Sequence, residues 1–198
     1  MRVLNSIDTT YLHWGLEHRS PALDAAVTAF TNIGTTALSL PLATPMAFLL
    51  TAILRSWSPV LTVAMAAAVS TSTTTIIKAM VGRARPEHSL AVPPYEHSFS
   101  FPSGHTLNAT VLALVLGYFC ARAVQRRWVR GLIWAAALCY ALCMGVSRIF
   151  LAHHWSTDVL AGWVFGAIIA GAALALVEGL TRRGGHLPVP LAAPHPAR

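Results

Sequence analysis

Residues 154–178 read HWSTDVLAGWVFGAIIAGAALALVE, and from Val159 to Val177 the stretch carries no charged side chain. About 20 mostly apolar residues are what a helix needs to cross the hydrocarbon core of a bilayer. Lipid offers no partner to a free backbone N–H or C=O, so such a segment must be helical. The head of the stretch is different. His154 and Asp158 stand at i and i+4, on one helix face if the helix begins by about residue 154.

Working outward, four more segments have spanning length and character, near 37–54, 59–81, 105–123 and 131–150, with the last span over 157–178. Residues 3–18, with Tyr11, Leu12 and Trp14, read as a short interfacial helix. Residues 22–35 are apolar but short, and read as a second interfacial or partly inserted helix; counting it would give six spans. The expected fold is all-α: an integral membrane helical bundle of five to six transmembrane helices with an N-terminal interfacial helix. The chain divides into an N-terminal interfacial segment (1–21), a transmembrane domain (22–180) and a disordered cytoplasmic tail (181–198), rich in Pro and Ala from Gly184 on.

Composition points the same way. The 198 residues suit one domain, and they are 55% hydrophobic and 11% charged, with a mean hydropathy of +0.58. Soluble domains carry about a quarter charged residues. The formal charge of +7 could suggest nucleic acid. The cations are thinly spread between apolar stretches, however, which fits basic loops of a membrane protein and no nucleic-acid partner. Cys120, Cys139 and Cys143 all fall in apolar segments and make neither a disulfide framework nor a metal motif. The N-terminus lacks the apolar run of a cleavable signal, so later segments are expected to direct insertion.

Charge also orients the bundle. Arg55, Arg122, Arg126, Arg127, Arg130, Arg182 and Arg183 fall on one face of a five-span arrangement, which should be cytoplasmic. Lys78, Arg83, Arg85 and Arg148 fall on the other, which should be extracytoplasmic. Trp57, Trp128 and Trp155 sit near span ends, as interface anchors do.

Three clusters mark that second face: Lys78-x6-Arg85-Pro86, Pro102-Ser103-Gly104-His105, and Ser147-Arg148-x5-His154-x3-Asp158. A charge inside a span is costly and usually functional, although Lys78 could snorkel and Arg85 could be plain loop. Pro102 to His105 opens a span. A helix N-terminus favours an anion, Gly104 permits close backbone approach, and Ser103 can cap the helix or donate to phosphate. A simple N-cap with a surface histidine is the plainer alternative. In the third cluster the Asp158 carboxylate can hold one ring nitrogen of His154 as N–H and leave the other free to attack phosphorus. Arg148 adds a forked donor for phosphate oxygens. His153 is the rival nucleophile, but its i+4 partner is Thr157, which cannot stabilise an imidazolium as a carboxylate does. A capping Asp beside an interfacial histidine pair is the plainer reading.

Other residues say less. Glu87-His88 and Glu96-His97 lack trustworthy metal-ligand spacing and read as solvated loop. Tyr95, Phe99 and Phe101 could gate lipid entry or anchor at the interface. The polar run Ser70 to Thr75 should hydrogen-bond to its own backbone and to neighbouring helices. Asn108, one turn into its span, could support the His105 end of that helix. Gly162, Gly166 and Ala170 form a small-residue stripe suited to close helix packing or to a homodimer face.

Taken together, the three clusters resemble the signature motifs of the type 2 phosphatidic acid phosphatase (PAP2) superfamily, over residues 20–178. The resemblance implies a helical bundle with its site at one membrane face. It implies His154 as nucleophile, Asp158 as its orienting partner and His105 as general acid. Lys78, Arg85, Ser103, Gly104 and Arg148 would hold the phosphate, with no metal and no cofactor. The implied substrate is a lipid phosphate or diphosphate in the bilayer: a polyprenyl diphosphate (undecaprenyl diphosphate among them), phosphatidic acid or phosphatidylglycerol phosphate. A lipid phosphotransferase would use the same intermediate. A vanadate haloperoxidase shares the pocket but is soluble, against the five spans. A non-catalytic lipid-binding component would need the cations but not the acid and nucleophile. The location expected is a bacterial cytoplasmic membrane.

Overall fold

The structure, a computed structural model, describes residues 2–184. Those residues form α1 (Arg2–Glu17), α2 (Pro21–Asn32), α3 (Thr36–Leu54), α4 (Ser58–Val81), α5 (Gly104–Ala123), α6 (Arg127–Phe150) and α7 (Ser156–Gly184), with one 3-10 turn at His88–Leu90. Among the described residues five helices are long and apolar enough to cross a membrane: α3, α4, α5, α6 and α7 as far as Leu180. The chain is a multi-pass membrane protein. Helix α2 is not among the five. Its 12 residues rise only ~18 Å, short of the ~30 Å hydrocarbon core. Helix α7 runs on to Gly184, so the first residues of the tail expected at 181–198 are helical; from residue 185 that tail lies outside the described residues.

Helix α5 is the axis of the bundle. It packs against α3, α4, α6 and α7, and 61% of its spanning window is buried, against 28% or less in the other four. It also has the lowest hydropathy of the five, because its polar residues point inward. Asn108 accepts from Ser70 at 3.1 Å and donates to Ser39 at 3.0 Å, joining α5 to α4 and α3. Thr74 and Thr75 bond back to carbonyls one turn earlier, as the polar run predicts. Lipid-facing positions carry the large apolar side chains, among them Leu42, Phe48, Ile76, Leu138 and Ile168.

Lipid tails are as apolar as Leu, so helices in a bilayer associate by close packing. The stripe on α7 serves that purpose. A Cβ at Gly166 would lie 2.7 Å from Thr110 Cβ and 2.9 Å from the Leu107 carbonyl oxygen; one at Gly162 would lie 2.9 Å from Thr106 Cβ. Ala170 is also buried. The stripe is covered by α5 of the same chain and is not free to form a homodimer face.

Candidate active site

Three chain reversals at one end of the bundle build the site. Helix α4 ends at Gly82, whose φ of +59° is left-handed and whose N–H bonds the Lys78 carbonyl. Glycine takes that conformation without penalty. The turn launches residues 83–103 across the mouth of the bundle. Helix α5 then begins at Gly104, its first N–H groups free of intrahelical partners. Helix α6 ends at Phe150, and the amides of His153 and His154 both bond the Arg148 carbonyl, at 3.0 and 3.2 Å. That closure draws the histidine pair back against the last turn of α6.

His154 is 1% exposed, and its two nitrogens face different groups. Nδ1 lies 3.4 Å from Asp158 Oδ2. Nε2 lies 3.1 Å from Arg85 Nη1. A guanidinium can only donate, so Nε2 is the acceptor and the proton sits on Nδ1, toward the carboxylate. Burial first, then Arg85 and Arg148, holds the imidazole well below its ordinary pKa. It is a neutral ring with its basic nitrogen aimed at cations.

Asp158 is fully buried and held on both sides. Oδ2 accepts from the Trp155 amide at 3.0 Å and from the Ser100 hydroxyl. Oδ1 accepts from Arg83 at 2.5 Å. His153 differs from its neighbour. Its Nε2 donates to the Val92 carbonyl at 2.6 Å, so the ring pins the 83–103 segment. Burial, with Arg148 beside it, pushes it down to about 4.

Arg148, 1% exposed, donates to Thr31 of α2 at 3.1 Å and to Glu96 at 2.8 Å. Arg85 donates to the Ser98 and His153 carbonyls at 2.7 and 2.6 Å. Lys78 Nζ donates to the Ser98 hydroxyl at 2.8 Å and the Phe99 carbonyl at 2.6 Å. His105 Nδ1 lies 3.7 Å from Glu96 Oε1. Ser103 is fully buried, and its hydroxyl accepts from Thr106 at 2.9 Å without capping the helix. Gly104 has Thr74 3.1 Å from where a Cβ would stand. A cavity of about 670 Å³ opens onto Lys78, Glu96, Gly104, His105 and His154.

The eight site residues read from the sequence thus gather at one end of the bundle. Several residues around them were not foreseen. Glu96, read as solvated loop, reaches Arg148 at 2.8 Å, with Arg85 at 3.7 Å and His105 at 3.7 Å. Burial alone would raise its carboxyl, but Arg148, His105 and Arg85 outweigh burial and hold it below its ordinary value. Arg83, counted only as a loop cation, grips Asp158, and Thr31 and Ser98 orient Arg148, Arg85 and Lys78. The one available signal was the Arg83-Ala84-Arg85 doublet beside the first cluster. Among the described residues no group of three His, Cys, Asp or Glu side chains converges as a metal site.

A buried, neutral imidazole with a carboxylate behind it and three cations before it is equipped for phosphoryl transfer. The model of the PAP2 superfamily matches residues 57–182. The chain belongs to the PAP2 superfamily. It is a phosphatase of that superfamily, and its sequence motifs and helical bundle agree with the assignment. A phosphatidylglycerophosphatase B of Bacillus subtilis is 28% identical over 152 residues, 76% of this chain and 73% of the relative. An undecaprenyl-diphosphatase of Sulfolobus acidocaldarius is 32% identical over 77 residues, 39% of this chain and 33% of the relative. The crystal structure of a transmembrane PAP2-type phosphatidylglycerolphosphate phosphatase from Bacillus subtilis superimposes with a TM-score of 0.84 at 26% identity, covering 92% of this chain and 90% of that one.

Proposed function

We propose that this phosphatase hydrolyses a lipid phosphate or diphosphate through a phosphohistidine on His154, at the extracytoplasmic face of the membrane. The observation that carries the reading is the direction of His154: Nδ1 toward Asp158, Nε2 toward Arg85 and the cavity.

The reaction follows from that direction. His154 Nε2 attacks phosphorus in line, and the bond from phosphorus to the leaving oxygen breaks. Protonated His105 gives its proton to that oxygen. Asp158 stabilises the imidazolium character that develops on His154. Lys78, Arg85, Arg148 and the free amides at the start of α5 take up charge on the equatorial oxygens. Water then attacks the phosphohistidine, His105 accepts its proton, and inorganic phosphate leaves. Glu96 supports the anion reading, since a carboxylate already sits among the cations.

A groove of about 600 Å³ supports a lipid substrate. It runs between α3 and α4, shares Thr36 and Thr71 with the site cavity, and continues past Leu40, Phe48 and Val63. A chain attached to a phosphate in the site could lie there within the apolar layer. The arginines at the opposite end of the bundle support the extracytoplasmic placement.

The test is phosphate release in mild detergent with excess chelator, from polyprenyl diphosphate, phosphatidic acid and phosphatidylglycerol phosphate. Chelator-resistant release that disappears in His154→Ala is expected. Release abolished by the chelator would overturn the mechanism. Label that appears only on an added acceptor hydroxyl would make the enzyme a phosphotransferase.

A further inference from the structure

Helix α1 lies outside the residues that match the family model, yet it sends one carboxylate into the site. Asp8 is 2% exposed. Its neighbours Ile7, Tyr11 and Trp14 are partly exposed and line a groove against α6 and α7, while Leu12 and Gly15 are buried with it. Asp8 Oδ1 accepts from the Thr157 amide at 2.9 Å and from the Ser156 hydroxyl at 2.7 Å. The first amides of a helix lack intrahelical partners, so α1 supplies the cap for α7. Asp8 Oδ2 accepts from Arg83 Nη2 at 2.6 Å, and the other arm of that guanidinium donates to Asp158 Oδ1 at 2.5 Å.

One cation therefore bridges two buried carboxylates. Asp158 has a single guanidinium on Oδ1, and this leaves Oδ2 for the Trp155 amide, Ser100 and His154. Arg83 is partly exposed, at 27% of its side chain. Without Asp8 its second arm has no carboxylate, and the guanidinium, left with the Thr157 hydroxyl at 2.7 Å and the Trp155 ring besides Asp158, loses the contact that fixes its rotation and can turn toward water. Asp158 Oδ1 would then be left buried and unpaired, which costs more than the bond itself is worth. We propose that Asp8 is a positioning residue for the reaction: through Arg83 and the first turn of α7 it fixes the rotation of Asp158, and so the aim of His154.

The inference rests on the phosphohistidine reading, and its test separates the two. Asp8→Asn keeps a carbonyl for Ser156 and Thr157 but cannot accept from Arg83. In full-length protein, kcat and KM are measured with a lipid phosphate. The affinities for vanadate, which mimics the in-line geometry, and for inorganic phosphate are measured without turnover. Partners that orient the ligands of metal sites are worth about 10–100-fold in activity, and a residue that orients the carboxylate behind an imidazole should weigh similarly. Asp8→Asn should lower kcat by that factor with KM nearly unchanged, and weaken vanadate far more than phosphate. Arg83→Gln should do the same, and Asp8→Asn on top of Arg83→Gln should add nothing, because both break one bridge. Wild-type kcat and vanadate affinity in Asp8→Asn would overturn the proposal. So would a loss confined to the amount of folded protein, or additive effects in the double variant. Wild type that releases no phosphate would overturn the functional reading instead, while the vanadate comparison would still decide the role of Asp8.

Discussion

At the site end of the bundle, Arg83, Arg85 and Arg148 are drawn in among carboxylates, carbonyls and hydroxyls. At the other end, Arg55, Arg122, Arg126, Arg127 and Arg130 stand exposed. Arg122 donates to the Tyr118 hydroxyl and lies over its ring, and Arg130 donates to the Val124 carbonyl. The same residue type does two jobs. A buried guanidinium must be matched by acceptors fixed in advance, so its geometry matters. An exposed one acts as a charge near the lipid surface, and its geometry does not.

That contrast can be broken most severely at the group the buried cations serve. His154→Ala should reduce phosphate release by about 10⁴-fold or more, as loss of a nucleophile does. Arg148→Lys keeps the charge but loses the fork that spans Thr31 and Glu96; turnover should drop about 10²-fold, as when one charge-stabilising donor is lost. An unchanged rate there would mean that geometry is as unimportant at this end as at the other.

Acidity gives a finer test. In the proposed reaction His154 must be neutral to attack, and burial among cations holds it neutral below its ordinary value of 6.5. The acid limb of kcat/KM, which reports the free enzyme, should therefore lie on the acid side of that value. Arg85→Gln removes one of the cations, so the limb should move toward higher pH as the overall rate falls. Smaller again is Glu96→Gln. Removing the resident negative charge should tighten inorganic phosphate as a competitive inhibitor by about fivefold. Smallest is the exposed end, where Arg126→Gln with Arg127→Gln should change turnover by less than about twofold.

The contrast also explains what could be read from sequence. Spans announce themselves by length and apolarity, and the limits of α3, α4 and α5 fall within a residue of expectation. Helix α6 begins four residues before the expected 131, at Arg127, because its first turn carries arginines and so lacked the apolar signature. The eight site residues stood out as ionisable or special groups at span ends. The supports did not. Asp8 and Arg83 lie 75 residues apart, as do Arg83 and Asp158, and nothing local marks them as partners. Glu96 looked like any loop acid because its cations come from other helices. The Gly162 and Gly166 stripe was legible as a packing face, but its partner, α5, was not.

The carbonyl of Arg148 accepts the amides of both His153 and His154. That makes the end of α6 a ruler. The spacing between the backbones of Arg148 and His154 is set within a single closed loop, while the guanidinium at the end of the side chain is aimed by Thr31 and Glu96. A residue added to or removed from the interval 149–153 would have no slack to take it up, and should rotate the imidazole away from Arg85 while leaving every side chain of the candidate site present. Lipids of different thickness would strain the bundle as a whole without changing that one backbone spacing.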